Sequence, residues 1–282
     1  MSVKRLVFDL GFHRGEDTDH YLALGHMVVA VEANPILVAE GQERFASAIN
    51  RGQLRLIHAA VVGENRQLST VAFHPHPRHS EWGSVDLRWV RRNAEAHGQP
   101  HHEPIPVQAT TLRSLVEKHG TPWLLKIDIE GADEEVLADL FNLGKKPAYV
   151  SWETGKESLS AVIRQHRKLK KLGYRHFRVV QQAYLHLEEG VLTPSGKRYR
   201  FTPGSSGPTP ADSTQPWRSF RTIALTYVLL FLSYNLIGPR SWFRRASLSR
   251  RRWLAWGPQQ LRAWADRRHL PFPGWVDSHA AL

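Results

Sequence analysis

The chain has 282 residues, of which 41% are hydrophobic and 23% are charged, a composition typical of a globular protein with a buried core. It contains no cysteine, which excludes disulfides, zinc–thiolate sites and cysteine nucleophiles. Residues 1–150 contain 16 Lys and Arg against 19 Asp and Glu, whereas residues 151–282 contain 22 against 7. The second half therefore has either an anionic partner or a solvated basic face.

The N-terminus has basic residues before a short apolar run that stops at Asp9 and Gly11. This run is too short for the core of a signal peptide, and no small-residue cleavage site follows it. The sequence therefore predicts a cytoplasmic protein.

The first half alternates short apolar runs with helical patterns. The predicted strands cover residues 6–8, 27–31, 54–57 with 59–62, 123–127, 148–152 and 174–180. The predicted helices cover residues 17–24, 35–48, 110–118, 132–143 and 158–172. This order predicts an α/β fold with a doubly wound, mostly parallel sheet and a ligand crevice at the carboxyl ends of its strands.

Other segments do not follow this alternation. Residues 74–106 are polar and rich in His and Pro, which predicts a long loop or an antiparallel excursion. An apolar helix is predicted over residues 221–238, and an Arg- and Trp-rich tail follows it. We therefore divide the chain into a nucleotide-binding domain, 1–185, and a basic extension of helix and loop, 186–282.

The first strand leads into a turn with the pattern D-x-G-x-x-x-G, formed by Asp9, Gly11 and Gly15. Glycines at such a turn let the backbone approach a ligand closely, and the following helix points its N-terminus at that ligand. This turn suits a dinucleotide or S-adenosylmethionine. It is not the G-x-G-x-x-G pattern of nicotinamide-binding proteins, which counts against that cofactor.

Two further strands end in carboxylates. Glu32 ends the second strand, where an acidic residue can accept hydrogen bonds from the hydroxyls of an adenosine ribose; otherwise it is a solvated strand-end residue. Asp128, Glu130 and Gly131 follow the strand over 123–127. One of the two carboxylates could cap the helix that begins near Ala132, but this would hardly account for both.

These segments resemble the successive motifs of the FkbM family of S-adenosylmethionine-dependent methyltransferases, which are class I, Rossmann-like enzymes. The resemblance is carried by residues 9–15, 31–35, 125–132, 149–153, 173–181, 204–208 with Trp217, and 274–280. The sequence departs from the family pattern at residues 12–14, where Phe-His-Arg replaces the commoner Ala-Asn-x.

The resemblance implies S-adenosylmethionine as the cofactor, with Gly11 and Gly15 at its methionine end and Glu32 on its ribose. Asp9 and Asn34 belong to the same two motifs and are expected to contribute to the cofactor site. The resemblance also implies O-methylation of a sugar, glycan or natural product.

Methyl transfer to an alcohol requires removal of the hydroxyl proton, by a base or with the help of a metal. We expect Asp128 to be the base or a metal ligand, Glu130 to assist it, and Glu153 to be a weaker third ligand or a simple strand-end residue. Three carboxylates in one crevice would suit Mg²⁺. His13 lies beside the glycines of the turn over residues 9–15, called the cofactor turn below, and could orient the acceptor hydroxyl.

Two other functions fit parts of the sequence. A nicotinamide-dependent oxidoreductase would use the same fold but leaves Asp128 and Glu130 unexplained. An RNA-binding methyltransferase would use the basic second half and its six tryptophans after residue 216. No recognised RNA-binding module is present, and a small-molecule or glycan acceptor is the favoured partner.

The apolar run 223–237 is shorter than the ~20 residues of a membrane-spanning helix, so we expect a core or cap helix packed over the crevice, with an interfacial helix as the alternative. Its arginine- and tryptophan-rich surroundings suit reversible, peripheral contact with an anionic membrane surface.

Overall fold

The computed structural model describes residues 4–98, 102–155, 158–182, 185, 190–213, 215–237 and 276–282. The strands in these ranges are β1 (Leu6–Leu10), β2 (Met27–Glu32), β3 (Leu54–His58), β4 (Ala60–Val61), β5 (Thr70–Phe73), β6 (Ile105–Thr110), β7 (Leu124–Ile127), β8 (Tyr149–Glu153), β9 (His176–Gln181), β10 (Val191–Leu192), β11 (Arg198–Tyr199) and β12 (Val276–Ala281). The helices are α1 (Glu16–Ala23), α2 (Pro35–Arg44), α3 (Ala46–Asn50), α4 (Leu87–His97), α5 (Leu112–His119), α6 (Asp133–Asp139), α7 (Leu159–Lys171) and α8 (Phe220–Ile237).

The largest sheet of the described chain has seven strands in the order β3-β2-β1-β7-β8-β12-β9. Strands β3, β2, β1, β7 and β8 are parallel, and β12 runs antiparallel to both of its neighbours. Helices cover both faces. Phe8, Leu125 and Trp152 pack in a core with α5, α6, α7 and α8, whereas Val7 and Leu124 pack on the opposite side with Tyr21 of α1 and Ala48 of α3. The predicted doubly wound, mostly parallel α/β fold is confirmed.

The predicted helix over 35–48 is two helices, because the backbone leaves helical geometry at Phe45 (φ −103°, ψ 16°). The Phe45 ring packs edge-on against Phe12, with their centroids 5.8 Å apart. The break thus lets an aromatic ring contact the turn after β1.

The segment 74–106 differs from the predicted loop because it contains the 11-residue helix α4. The Asp86 side chain accepts a hydrogen bond from the Arg88 amide at its start, and Gly98 ends it in the left-handed conformation. The antiparallel alternative is correct for the two strands that flank this helix in the sequence, because β5 pairs antiparallel with β6.

The end of the chain is a strand, where the sequence predicts helix and loop. All six residues of β12 are buried, and the strand is inserted between β8 and β9. The extension 186–282 thus contributes a strand to the main sheet.

The predicted helix over 221–238 corresponds to α8, which spans Phe220–Ile237. None of the helices in the described ranges has the length and apolarity required to cross a membrane. Residues 238–275, which form most of the Arg- and Trp-rich segment, lie outside the described residues.

Candidate active site

The turn after β1 lies directly against the end of β7. Gly11 has φ +91°, and a β-carbon added there would lie 1.7 Å from the carbonyl oxygen of Asp128. The amides of Gly11 and Phe12 both donate to the carbonyl oxygen of Val31, at 3.0 Å. Only glycine fits this position, because both the φ angle and the contact exclude a side chain.

Gly15 precedes α1 and is also in the left-handed region, with φ +80°. A β-carbon there would lie 2.5 Å from the Phe45 ring and 2.7 Å from the Phe12 ring. The two glycines of the motif are thus required for different reasons: Gly11 for contact with β7, and Gly15 for helix entry and ring packing.

Glu32 ends β2 at the rim of the same turn. One carboxylate oxygen accepts the backbone N–H of Asn34 and the other accepts that of His13, both at 2.8 Å. Burial raises the pKa of Glu32, although these hydrogen bonds act in the opposite direction. Each carboxylate oxygen can accept a further hydrogen bond, so Glu32 can still accept hydrogen bonds from the hydroxyl groups of a ligand.

His13 links the cofactor turn to the segment before α4. Its Nε2 lies 2.9 Å from Oγ of Ser80, and its Nδ1 lies 3.2 Å from a carboxylate oxygen of Glu16. Burial alone would lower the pKa of His13, but the hydrogen bond and charge of Glu16 raise it. The imidazole of His13 therefore stays positively charged up to a higher pH than that of a free histidine.

The turn between β7 and α6 contains two carboxylates, Asp128 and Glu130. No side chain caps the start of α6, so neither Asp128 nor Glu130 has this role. Asp133 accepts the amides of Ile129 and Gly131, each at 3.2 Å, within the turn that precedes the helix. Glu130 itself is in the left-handed region, with φ +47°. A non-glycine residue in this conformation is strained, which is common where a side chain must be aimed at a site.

Asp128, Glu130 and Glu153 offer carboxylate oxygens that all lie within 4.8 Å of one another, and this is the one group of potential metal ligands within the described ranges. Burial, together with the charges of Glu153 and Asp128, raises the pKa of Glu130 well above its ordinary value. The cluster therefore disfavours the ionised form of Glu130 unless a cation binds there.

One cavity of about 530 Å³ connects these groups. The β1 turn, the end of β2, residues 80–85, the end of β7 and residues 203–204 all contribute to its walls. Among the predicted site residues, Gly11, His13, Glu32, Asp128, Glu130 and Glu153 line it. This volume lies within the ordinary range for small-molecule sites.

Asp9, Gly15 and Asn34 are not among the lining residues. Asp9 is fully buried and accepts a hydrogen bond from the Thr18 hydroxyl at 2.6 Å. The Asn34 side chain accepts the Ile36 amide at the start of α2. In the structure these residues support the walls of the cavity, and direct contact with a cofactor stays a prediction.

A row of buried polar side chains crosses the sheet on the side of α1. Asp9, Lys126, Ser151, His279 and Arg178 are neighbours in register on β1, β7, β8, β12 and β9. Each is at most 4% exposed. Central strands of mostly parallel sheets are ordinarily apolar on both faces, so this row marks a polar layer next to the cavity.

The sequence of residues 9–176 matches the model of the FkbM methyltransferase domain, which is more than half of the chain. The chain belongs to this family. No curated protein sequence matches it.

The solved structures that resemble this FkbM methyltransferase domain include two other methyltransferases. The FkbM methyltransferase from Methylobacillus flagellatus KT is 15% identical, with a TM-score of 0.34, and the match covers 53% of this chain and 32% of that one. The C-terminal domain of precorrin-6Y C5,15-methyltransferase from Rhodobacter capsulatus is 8% identical, with a TM-score of 0.36, and the match covers 63% and 66%. The chain thus spans about a third of the length of the first structure.

Sequence reasoning about this FkbM domain overlooked Lys126, Asp17 and Asp133. Lys126 has a clear sequence signal, since a lysine inside an otherwise apolar strand needs buried carboxylate partners. Asp17 could be found only through its contact with a loop nearly 190 residues away.

Proposed function

We propose that this FkbM domain transfers a methyl group from S-adenosylmethionine to a hydroxyl oxygen of a small-molecule or glycan acceptor. The observation that carries the proposal is the single cavity lined by Gly11 and Glu32 on one side and by Asp128, Glu130 and Glu153 on another. It combines a nucleotide-binding wall with groups that can accept a proton.

The cofactor wall fits S-adenosylmethionine in its donor set. Glu32 offers carboxylate oxygens to a ribose, and the turn at Gly11 forms an adjoining part of the wall of the same cavity. Class I methyltransferases use S-adenosylmethionine, which, when bound, supplies a methyl group on a sulfonium, a good leaving group. The protein then has to hold the acceptor oxygen in line and remove its proton.

Asp128 is proposed to accept the proton of the acceptor hydroxyl. Its side chain is about 30% exposed toward the cavity, and Lys126 holds it through an ion pair of 3.3 Å. Glu130 keeps its proton to a higher pH than an ordinary glutamate because its pKa is raised, and in the protonated form it would donate a hydrogen bond to the acceptor oxygen. His13 is proposed to orient the acceptor from the turn after β1, which lines the same cavity.

A divalent cation such as Mg²⁺ would fit the three clustered carboxylates, because oxygen donors are the ligands it prefers. Asp128, Glu130 and Glu153 would hold it, and it would lower the cost of deprotonating a bound hydroxyl.

The proposal is tested by incubating the purified protein with isotopically labelled S-adenosylmethionine and a native small-molecule extract. Mass spectrometry is expected to reveal label in an O-methyl group of an acceptor and stoichiometric S-adenosylhomocysteine. Label found only on carbon or nitrogen would contradict O-methylation, and transfer to RNA would favour the nucleic-acid alternative.

We further propose reversible contact with an anionic membrane surface. Leu225, Leu229 and Leu232 of α8 are each at least half exposed and are spaced along one side of the helix. The chain beyond α8 is rich in arginine and tryptophan. Co-sedimentation with phosphatidylserine vesicles is expected to fall with added salt and with a Leu229→Ser, Leu232→Ser variant; no binding at low salt would contradict the proposal.

A further inference from the structure

Lys126 lies on β7 with its side chain almost fully buried beneath the cavity. Its ammonium is 3.1 Å from a carboxylate oxygen of Asp17, 3.3 Å from Asp128 and 3.4 Å from Asp9. It also lies 3.4 Å from the carbonyl oxygen of Gly11, to which it donates a hydrogen bond. One side chain therefore contacts the acceptor-side carboxylate and the cofactor turn together.

Asp17 extends this network to a third wall. Its other carboxylate oxygen accepts the Ser205 hydroxyl at 2.8 Å and the Ser206 amide at 2.7 Å. Both serines are almost fully buried, and the adjoining Pro203 and Gly204 line the cavity. The glycine-rich loop 203–207 is thus bound to α1 through the Asp17 carboxylate.

The charges in this network depend on Lys126. Burial alone would lower the pKa of Lys126, but Asp9, Asp128 and Asp17 raise it well above its ordinary value. Burial would raise the pKa of Asp17, but Lys126 and the two serines lower it. Lys126 and Asp17 are therefore both charged, and removing either would leave a buried charge with fewer partners.

A purely structural ion pair could be replaced by apolar groups without affecting a ligand site. Here the partners of the ion pair belong to three separate walls of one cavity. We propose that Lys126 is a positioning residue for methyl transfer, which fixes Asp128 against the cofactor turn and, through Asp17, holds loop 203–207 at the cavity. This inference rests on the proposed function for the reaction that it serves.

The test compares Lys126→Met and Asp17→Asn with the exposed control Lys118→Met, by hydrogen exchange at the Ser206 amide. In both variants this amide is expected to exchange at least about tenfold faster than in the native protein, while the control stays unchanged. If circular dichroism shows that Lys126→Met does not fold, Asp17→Asn still tests the link to the loop. Lys126→Arg keeps the positive charge and is expected to restore part of the protection of the Ser206 amide against exchange.

The second readout separates this inference from the proposed function. The affinity of Asp17→Asn for S-adenosylmethionine is expected to stay within about threefold of native, while kcat for the acceptor found by label transfer falls at least about tenfold. Unchanged Ser206 exchange and kcat in Asp17→Asn would overturn the inference. Failure of the native protein to bind S-adenosylmethionine would overturn the proposed function instead, and leave the exchange result to stand on its own.

Discussion

The β-carbon position of Gly11 lies 1.7 Å from the carbonyl oxygen of Asp128, so the cofactor turn and the end of β7 are in direct backbone contact. The residue proposed to approach the methionine end of the cofactor thus adjoins the residue proposed to take the acceptor proton. In a reaction that requires a collinear donor and acceptor, this contact fixes the distance between the two halves of the site.

Gly11→Ala is expected to disrupt this contact, because alanine is strained at φ +91° and its methyl group cannot be accommodated. We expect the free energy of unfolding to fall by at least ~2 kcal/mol, together with loss of S-adenosylmethionine binding. Urea denaturation and calorimetry measure the two effects. Gly144→Ala is the matched control, since nothing lies within 4 Å of its added β-carbon; equal behaviour of the two variants would contradict the packing described.

Asp128→Asn is expected to keep the affinity for S-adenosylmethionine within a few fold and to reduce turnover at least about 100-fold, the scale of general-base catalysis. Lys126 retains Asp9 and Asp17 as partners in this variant, so the fold should persist. Single-turnover kinetics provide the measurement. Exposed Glu134→Gln serves as the control, and native turnover in Asp128→Asn would remove Asp128 from the mechanism.

Cation binding is expected to depend on pH through Glu130. Because the pKa of Glu130 is raised, this carboxyl keeps its proton to a higher pH than an ordinary glutamate, and a cation that binds there must displace that proton. Affinity for Mg²⁺ should therefore rise with pH by about tenfold per unit until Glu130 is ionised. Calorimetric titration across this range, with Glu130→Gln as the variant lacking the dependence, tests this point. Absence of cation binding at every pH would leave the carboxylates to act alone.

The central sheet could be predicted because its strands are short apolar runs separated by helical patterns. The position of Glu32 and Asp128 at the cavity could be predicted for a related reason: in such a fold, a carboxylate at the end of a buried strand lies at the ligand edge. Their roles in binding and catalysis stay predictions. Helix α4 was missed because its surroundings are rich in His and Pro, although Asp86 and Gly98 are ordinary start and stop signals.

Strand β12 could not be predicted from local sequence. Most of its residues, Val-Asp-Ser-His-Ala-Ala, have little β-propensity, and the strand is formed by antiparallel pairing with β8 and β9, which are distant in sequence. The Asp17–Ser206 hydrogen bond was likewise out of reach, because it joins residues 189 positions apart.

Asp277, on β12, is expected to make stability depend on pH. Burial, followed by the charge of Asp128, raises the pKa of Asp277 to about 8. A carboxyl whose pKa is raised on folding costs stability as the pH rises from its unfolded value toward its folded value. Asp277→Asn should therefore gain stability relative to the native protein between about pH 5 and 8, by on the order of 2–4 kcal/mol.

Chemical denaturation at several pH values measures this difference. Exposed Glu40→Gln is the control and should show no such trend. A constant difference between Asp277→Asn and native protein across this pH range would show that Asp277 is ionised in the folded state.

The most direct test of the proposed function is calorimetric titration of the purified protein with S-adenosylmethionine and, separately, with NADH. We predict micromolar binding of S-adenosylmethionine, and a loss of roughly 1.5–3 kcal/mol of binding free energy in Glu32→Ala, because a charged acceptor of ribose hydrogen bonds is removed. Tight binding of NADH with no binding of S-adenosylmethionine would contradict the proposed function.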